Sequence, residues 1–546
     1  MCGLVSRSLL CLVLLALLVS QSVGGIRLPA HGMRKLADDS LSGVETAGEL
    51  AGGAKEPQPD LLTPGLPVKE VCTNSCSKAR NGVCEEGRAG KVHITAPHLM
   101  VYCDLGTDCD DCGPWKTTAT EVPWEDPAKV GPIRLLQSRD VQVRVRPASV
   151  PPPIAFKMAY TDPTKDFDVS YHMEGSGIVE SGITEIAFKV LKDRCTRPDG
   201  SRALVVDVGA NFGWFAVLAA RMGCKVIAYE PVPIFRAFFE FSVHLNDLTS
   251  LIDVRAMVVS HETGKTMNMV VPARGIWGTA GIDGLNIDKA IESEKESIEV
   301  ASVRLEDEVR SDVILMKADV EGWEWAVIKG ATGLLKGFNV ENIIMEYSPG
   351  VPERHFKYDD MAATPGMLAD LIGYGYRIGH IGDAGKHLIG GWDSELISLR
   401  EVSMANLKYD IEDVERWRLA KLACPSPPEL AKYPMWALCG GVPEGLNPRS
   451  LRSEIGHNTN VWISKSPLLK LEGMSGIFHP DDPVTKYFQN NTLDFGMGSR
   501  PCMHLDSVVQ VKHRCRCIKK EACGEEELAV QRASEEGKIV QNYVLP

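Results

Sequence analysis

Between residues 203 and 231 the chain alternates between two rhythms. Ala203–Val208 is an apolar run ending in Asp207-Val208-Gly209, the pattern of a strand buried on both faces. Gly209 and Gly213 bracket Ala-Asn-Phe, and Trp214–Met222 reads as a helix. Lys225–Tyr229 is a second strand, closed by Glu230. The unit is strand–turn–helix–strand, with its turn at the carboxyl end of a sheet, where doubly wound folds take ligands. The rhythm returns at Val313–Ala318, a buried strand ended by Asp319. Asp319 and Glu321 alternate, so both side chains can face one side of an extended segment. Gly322 then permits a tight turn into a helix from Trp323 to Leu335, and Asn342–Pro349 follows as another strand. Such alternation from about 165 to 400 predicts a parallel α/β sheet. Its last strand is either Glu395–Leu399 or Thr459–Ser464. We prefer the second, with 401–457 as an insertion in a domain spanning 165–465.

Outside that region the pattern breaks down. Residues 1–25 carry Arg7, the apolar run Leu9–Val19 and the small residues Ser22 and Gly24, which together read as a secretory signal. The run is too short to span a bilayer, so no stable membrane span is expected. Residues 26–70 are rich in Gly, Pro, Ala and acidic residues without a period and read as a disordered linker. Residues 71–115 form a cysteine module, 116–164 a proline-containing linker and 466–546 a cysteine-containing extension.

The chain holds 16 cysteines. Two lie in the signal; the others cluster, which with a signal points to disulfides in an oxidising compartment, secretory or extracellular. Cys195 and Cys224 precede adjacent strands at the edge away from the ligand, so they are expected to pair. Asn490-Asn491-Thr492 is a glycosylation sequon consistent with that compartment. Net charge is −13, which argues against a nucleic-acid partner. Oligomeric state is left open.

The carboxylates narrow the ligand. A dinucleotide needs G-x-G-x-x-G; the spacing here is G-x-x-x-G, and Asp207 directly before the turn would repel a pyrophosphate. The same carboxylate attracts a cation. The sulfonium and the amino group of S-adenosylmethionine are such cations, and Glu230, 21 positions past Gly209, suits a ribose diol. Asn211 tolerates left-handed backbone in the turn and can bond a ligand carboxylate. The expected cofactor residues are Asp207, Gly209, Asn211, Gly213 and Glu230. Asp319 and Glu321 are the expected catalytic pair, as base or as orienter of an acceptor hydroxyl; Glu321 alternatively caps the helix that follows. Four carboxylates at one edge repel unless a cation or hydrogen bonds compensate. The clustered carboxylates permit a metal, but no His/Cys/Asp spacing demands one, so no metal ligand is assigned and metal dependence is left open. Lys317 and Glu346 read as sheet-edge residues, and His380 could reach the site. The Gly-rich loop 274–284, with Trp277, could cover the cofactor or admit substrate.

The stretches DVGANFGWFAVLAA and AYEPVP, with LMKADVEGWEWAVIKGATGLL and NIIMEYSP, resemble the FkbM family of class I S-adenosylmethionine-dependent methyltransferases. The resemblance covers roughly Val169–Arg400. It implies a doubly wound, seven-stranded Rossmann-like sheet and methylation of a hydroxyl oxygen on a small-molecule, sugar or glycan-like acceptor. The cysteine module, through NGVC and TDC, resembles a Notch-type (Lin-12) repeat, although the cysteine expected shortly after Cys84 is missing. Asp104, Asp108, Asp110 and Asp111 then form either a calcium loop or a solvated acidic turn. Against a secretory-pathway methyltransferase stands a catalytically inactive secreted protein that binds partners through its cysteine modules.

Overall fold

The computed structural model describes residues 62–88, 97–126, 128–287, 294–355, 357–381, 399–423, 459–470 and 482–492. The signal and the cysteines from Cys424 onward lie outside the described residues.

The main sheet contains β1 (Leu204–Val208), β2 (Lys225–Tyr229), β3 (Ile252–Arg255), β4 (Val313–Ala318), β5 (Asn342–Tyr347), β6 (Arg377–His380), β7 (Arg400–Glu401) and β8 (Thr459–Ser464). Their order is β7-β6-β8-β5-β4-β1-β2-β3. The strands from β3 to β5 are parallel, and β8 enters antiparallel between β5 and β6. Thr459–Ser464 is therefore the inserted strand. The sheet has eight strands rather than the expected seven, because the two-residue β7 adds an edge beside β6.

Side-chain alternation gives each strand two faces and the sheet two cores. Val205, Val226, Ala228, Ile344 and Trp462 point into one. Leu204, Val206, Val208, Met316, Met345 and Ile463 point into the other. Helices α1 (Ser181–Leu191), α2 (Trp214–Arg221) and α3 (Pro233–Leu245) cover the first face. Helices α4 (Glu324–Lys329) and α5 (Tyr358–Gly373) cover the second. Phe238, Phe239 and Phe241 of α3 are wholly buried, each worth roughly 1.5–3 kcal/mol over exposure.

A hairpin, Thr266–Pro272 paired with Lys295–Val303, is inserted between β3 and β4. Its connecting loop turns back so that Gly281–Ile282 adds a third strand.

The N-terminal region is stapled by Cys72–Cys109, Cys76–Cys103 and Cys84–Cys112. Leu99–Val101 pairs with Val143–Pro147, which pairs with Lys157–Tyr160, so the stretch read as a linker supplies two of three strands. This sheet is locked to α3. The Ala159 amide donates to Ser242 Oγ (3.0 Å), and Asn246 bonds both the N–H (2.9 Å) and the C=O (2.7 Å) of Lys157. Just past the helix, buried Asp247 accepts from Thr117 Oγ1, the Thr118 amide and Thr118 Oγ1, each at 2.7 Å, and from the Thr63 amide at 3.0 Å. His244 lies edge-on to Trp124 (4.7 Å) and Trp115 (6.0 Å). The expected Cys195–Cys224 disulfide is present and ties the approaches to β1 and β2.

Candidate active site

The site is built at the carboxyl ends of β1, β2, β4 and β5. Gly209 takes φ +76°, and a Cβ there would lie 1.9 Å from the Asp319 carbonyl oxygen. At Gly213 (φ +85°) a Cβ would lie 2.0 Å from the Phe239 ring. The two glycines thus let the turn pack against the end of β4 and against α3. Asn211 is left-handed, at φ +52°. Its amide donates to Glu230 Oε2 (2.7 Å), while the Val232 amide donates to Glu230 Oε1 (2.8 Å). Burial pushes the Glu230 carboxyl up to about 7 against the pull of these two amides. Each oxygen keeps a second lone pair for a ligand hydroxyl.

Asp207 is 1% exposed. Burial raises its carboxyl to about 6, opposed by Lys317 and reinforced by Asp319. The Ala216 amide in the first turn of α2 favours the ionised form without meeting hydrogen-bond geometry. Neither Asp207 oxygen has a hydrogen-bond partner among the described residues, nor has Asn211 Oδ1. Buried acceptors of this kind are costly unless a donor completes them. A cation carrying N–H groups fits that requirement, so the residues suit the amino end of S-adenosylmethionine.

The compensating cation for the carboxylates is Lys317. It is buried, donates to Asp319 Oδ2 at 3.0 Å and lies 4.8 Å over the Phe215 ring. Burial pulls its ammonium down, but Asp319, Glu180 and Asp207 together push it above its ordinary range. A sheet-edge reading missed it, since sequence does not show that Asp207 on β1 and Glu180 just before α1 are its neighbours. The pattern K-x-D did contain the signal, because it places the lysine and the aspartate on one face of the strand.

Glu321 has φ +58°, a left-handed conformation unusual for this side chain. It does not cap the helix. The helix has no side-chain N-cap; Glu324 Oε1, at its first position, accepts the amides of Val320 (3.0 Å) and Gly322 (3.2 Å) in the turn that precedes it. Glu321 instead accepts a hydrogen bond from Asn286 Nδ2 of the inserted hairpin. Glu346, on β5, completes a trio: one oxygen each of Asp319, Glu321 and Glu346 lie within 4.8 Å of one another. The structure therefore brings Asp319 and Glu321 together and adds Lys317, Asn286 and Glu346. His380 is separated from β4 by β8 and β5, and its Nε2 pairs with Thr459 Oγ1 at 2.8 Å.

The loop from Arg274 to Ile287 is pinned from three sides. Arg274 and Gly275 bond Thr164 and Lys165, Asn286 bonds Glu321, and His355 bonds the Leu285 carbonyl. A Cβ on Gly278 would sit 2.7 Å from Asp168 and 3.7 Å from Glu321 Oε1. Trp277 packs on Phe235 (5.7 Å, near-parallel) and edge-on to Phe212 (6.2 Å).

Residues 207–378 match the family model described as the methyltransferase FkbM domain. Among solved structures, the methyltransferase FkbM from Methylobacillus flagellatus KT is similar at 17% identity and TM-score 0.21, over 35% of this chain and 43% of that one. The plantazolicin methyltransferase BpumL in complex with SAH is similar at 10% identity and TM-score 0.19, over 52% of this chain and 81% of that one. This chain thus spans less than half of the first structure's length. No curated protein matches.

Proposed function

We propose that this protein transfers a methyl group from S-adenosylmethionine to a hydroxyl oxygen of a sugar or glycan-like acceptor in the secretory pathway. The carrying observation is Asp207: a buried carboxylate inside the FkbM domain match, with both oxygens left for a ligand. When bound, the cofactor supplies an electrophilic methyl group on a sulfonium. Asp207 and Asn211 Oδ1 hold its amino end, Glu230 takes the ribose hydroxyls, and Gly209 and Gly213 shape the turn between them. Asp319, fixed by Lys317, orients the acceptor hydroxyl. Glu321 would take the proton of that hydroxyl, which carries away the positive charge that methyl transfer to oxygen releases. Four disulfides among the described residues support an oxidising compartment. Among those residues no helix is long and apolar enough to cross a membrane.

Calorimetric titration of S-adenosylmethionine into the full chain, with Asp207→Asn and Glu230→Ala beside it, tests the reading. Binding weakened by both substitutions supports it and justifies an acceptor screen among hydroxylated glycans. No binding by folded protein would return the chain to the non-enzymatic reading.

Calcium in the cysteine module is a second proposal, and it rests on fewer residues than the four aspartates. Asp104 accepts the Ile133 amide (2.8 Å), Asp110 pairs with Arg80 (2.8 Å) and Asp111 accepts the amides of Asn81 and Gly82. Asp108 and Glu85 remain, both buried and close together, with Asp108 Oδ1 and Glu85 Oε2 lacking a partner among the described residues. Calcium is expected to raise the melting temperature of the wild type and not of Asp108→Asn; equal melting in calcium and in chelator removes the proposal.

A further inference from the structure

The unpartnered polar atoms around the β1–α2 turn are not all acceptors. Trp277 is 2% exposed, and its Nε1–H has no hydrogen-bond partner among the described residues. Its ring sits against Phe212, next in sequence to Asn211, and against Phe235, five residues past Glu230. A buried indole N–H normally finds an acceptor, and leaving it unmet costs free energy. The backbone holds Trp277 in place from the other side, through its amide to Asp166 Oδ1 at 3.4 Å and the bridge between Asp166 and Gly275. Asp166 also accepts the amides of Ser170 (2.7 Å) and Asp168 (3.1 Å), so the loop that carries Trp277 and the segment before α1 form one framework.

Around one turn, then, lie three acceptor atoms without donors, Asp207 Oδ1, Asp207 Oδ2 and Asn211 Oδ1, and one donor without an acceptor, Trp277 Nε1. That set is the complement of an amino-acid zwitterion: an ammonium with several N–H groups and a carboxylate that accepts. We propose that Trp277 is a binding residue contributed by the inserted hairpin, donating its indole N–H to the carboxylate of the cofactor's amino-acid end while Asp207 and Asn211 take the ammonium. The inference rests on the proposed use of S-adenosylmethionine and adds the donor that the turn itself does not supply. It also gives the insertion a function: the β1–α2 turn holds half of a zwitterion site, and the hairpin supplies the rest.

The test is a ligand-side comparison on the full chain by calorimetry. The probes are S-adenosylhomocysteine, its decarboxylated analogue and 5′-methylthioadenosine, which lacks the amino-acid end. Trp277→Phe keeps the ring and removes the N–H. In the wild type, S-adenosylhomocysteine is expected to bind about tenfold or more tighter than the decarboxylated analogue, the range for a hydrogen bond to a charged partner. In Trp277→Phe the two bind alike, and methylthioadenosine affinity is unchanged, which also shows that the pocket is folded. A wild type that binds both amino-acid ligands equally overturns the inference while leaving the cofactor reading in place, and this measurement does not depend on the variant folding. A Trp277→Phe that retains the preference, or that loses all three ligands equally, overturns it as well. A wild type that binds none of them overturns both readings.

Discussion

At the scale of single residues, Asp207 couples proton and ligand. Its carboxyl is raised to about 6 by burial. A cationic ligand favours the ionised form, so binding expels a proton and affinity rises with pH. S-adenosylmethionine is expected to bind progressively tighter from pH 5 to 7, levelling above about 6, and Asp207→Asn is expected to flatten that slope in calorimetry. The folding contribution has the opposite sign. The folded state holds this proton longer than the unfolded chain, so Asp207 costs stability increasingly as pH climbs from 3.8 toward about 6. Glu321 carries a different mark of function, a left-handed backbone that a glutamate adopts at a cost of roughly 1–2 kcal/mol. Glu321→Gly relieves it and offsets part of the gain through unfolded-state entropy. The expected result is a melting temperature unchanged or raised by the equivalent of up to about 1 kcal/mol, together with loss of methyl transfer. A clear drop in melting temperature would assign Glu321 to the fold instead. Asp207 and Glu321 were legible as carboxylates at strand ends. Glu324 was not, since it sits one helical turn beyond Val320 and only the path of the chain shows which amides it closes on.

At the scale of elements, β1, β2, β4 and β5 were legible because each is buried on both faces and each ends in a carboxylate or at a turn. The two-residue β7 was not, because a strand that short has no period to read. The placement of β8 needed the structure too, since Thr459–Ser464 reads as a buried strand wherever it docks. The Cys195–Cys224 bridge was legible from strand order, because parallel neighbours enter the sheet at one edge. It closes a segment of 29 residues that contains β1 and α2. On loop entropy alone such a closure contributes roughly 3–4 kcal/mol. Replacing both cysteines with alanine is expected to lower stability by about that amount in denaturant titration, with cofactor affinity in the folded protein kept. Unchanged stability would mean that the unfolded chain is already constrained there.

At the scale of the molecule, the N-terminal region is a second wall of the core on the α3 side of the main sheet, a role that its cysteine spacing and proline content hid. The sequence reads there as a cysteine module followed by a proline-containing linker; the structure shows Trp115, Trp124 and the 157–160 strand packed with α3 in a shared core. His244 lies in that seam, and burial depresses its imidazole to about 4. The unfolded chain takes up a proton near pH 6.5 that the folded chain refuses, so this residue withdraws stability as pH falls from about 6.5 toward 4. His244→Phe is expected to flatten the acid limb of the stability profile, followed by tryptophan emission; an unaltered limb would place the acid sensitivity elsewhere.

The Asp247 knot has a consequence for how such a chain can be assembled in evolution. Cysteine-rich modules are commonly treated as interchangeable cassettes, joined by linkers and free to be shuffled between genes. Here one carboxylate just beyond α3 gathers donors from Thr63, Thr117 and Thr118, on both sides of the disulfide module. A different cassette dropped between those threonines would have to recreate the same two exits at the same spacing. A change on either side of that knot must therefore be accommodated by the other.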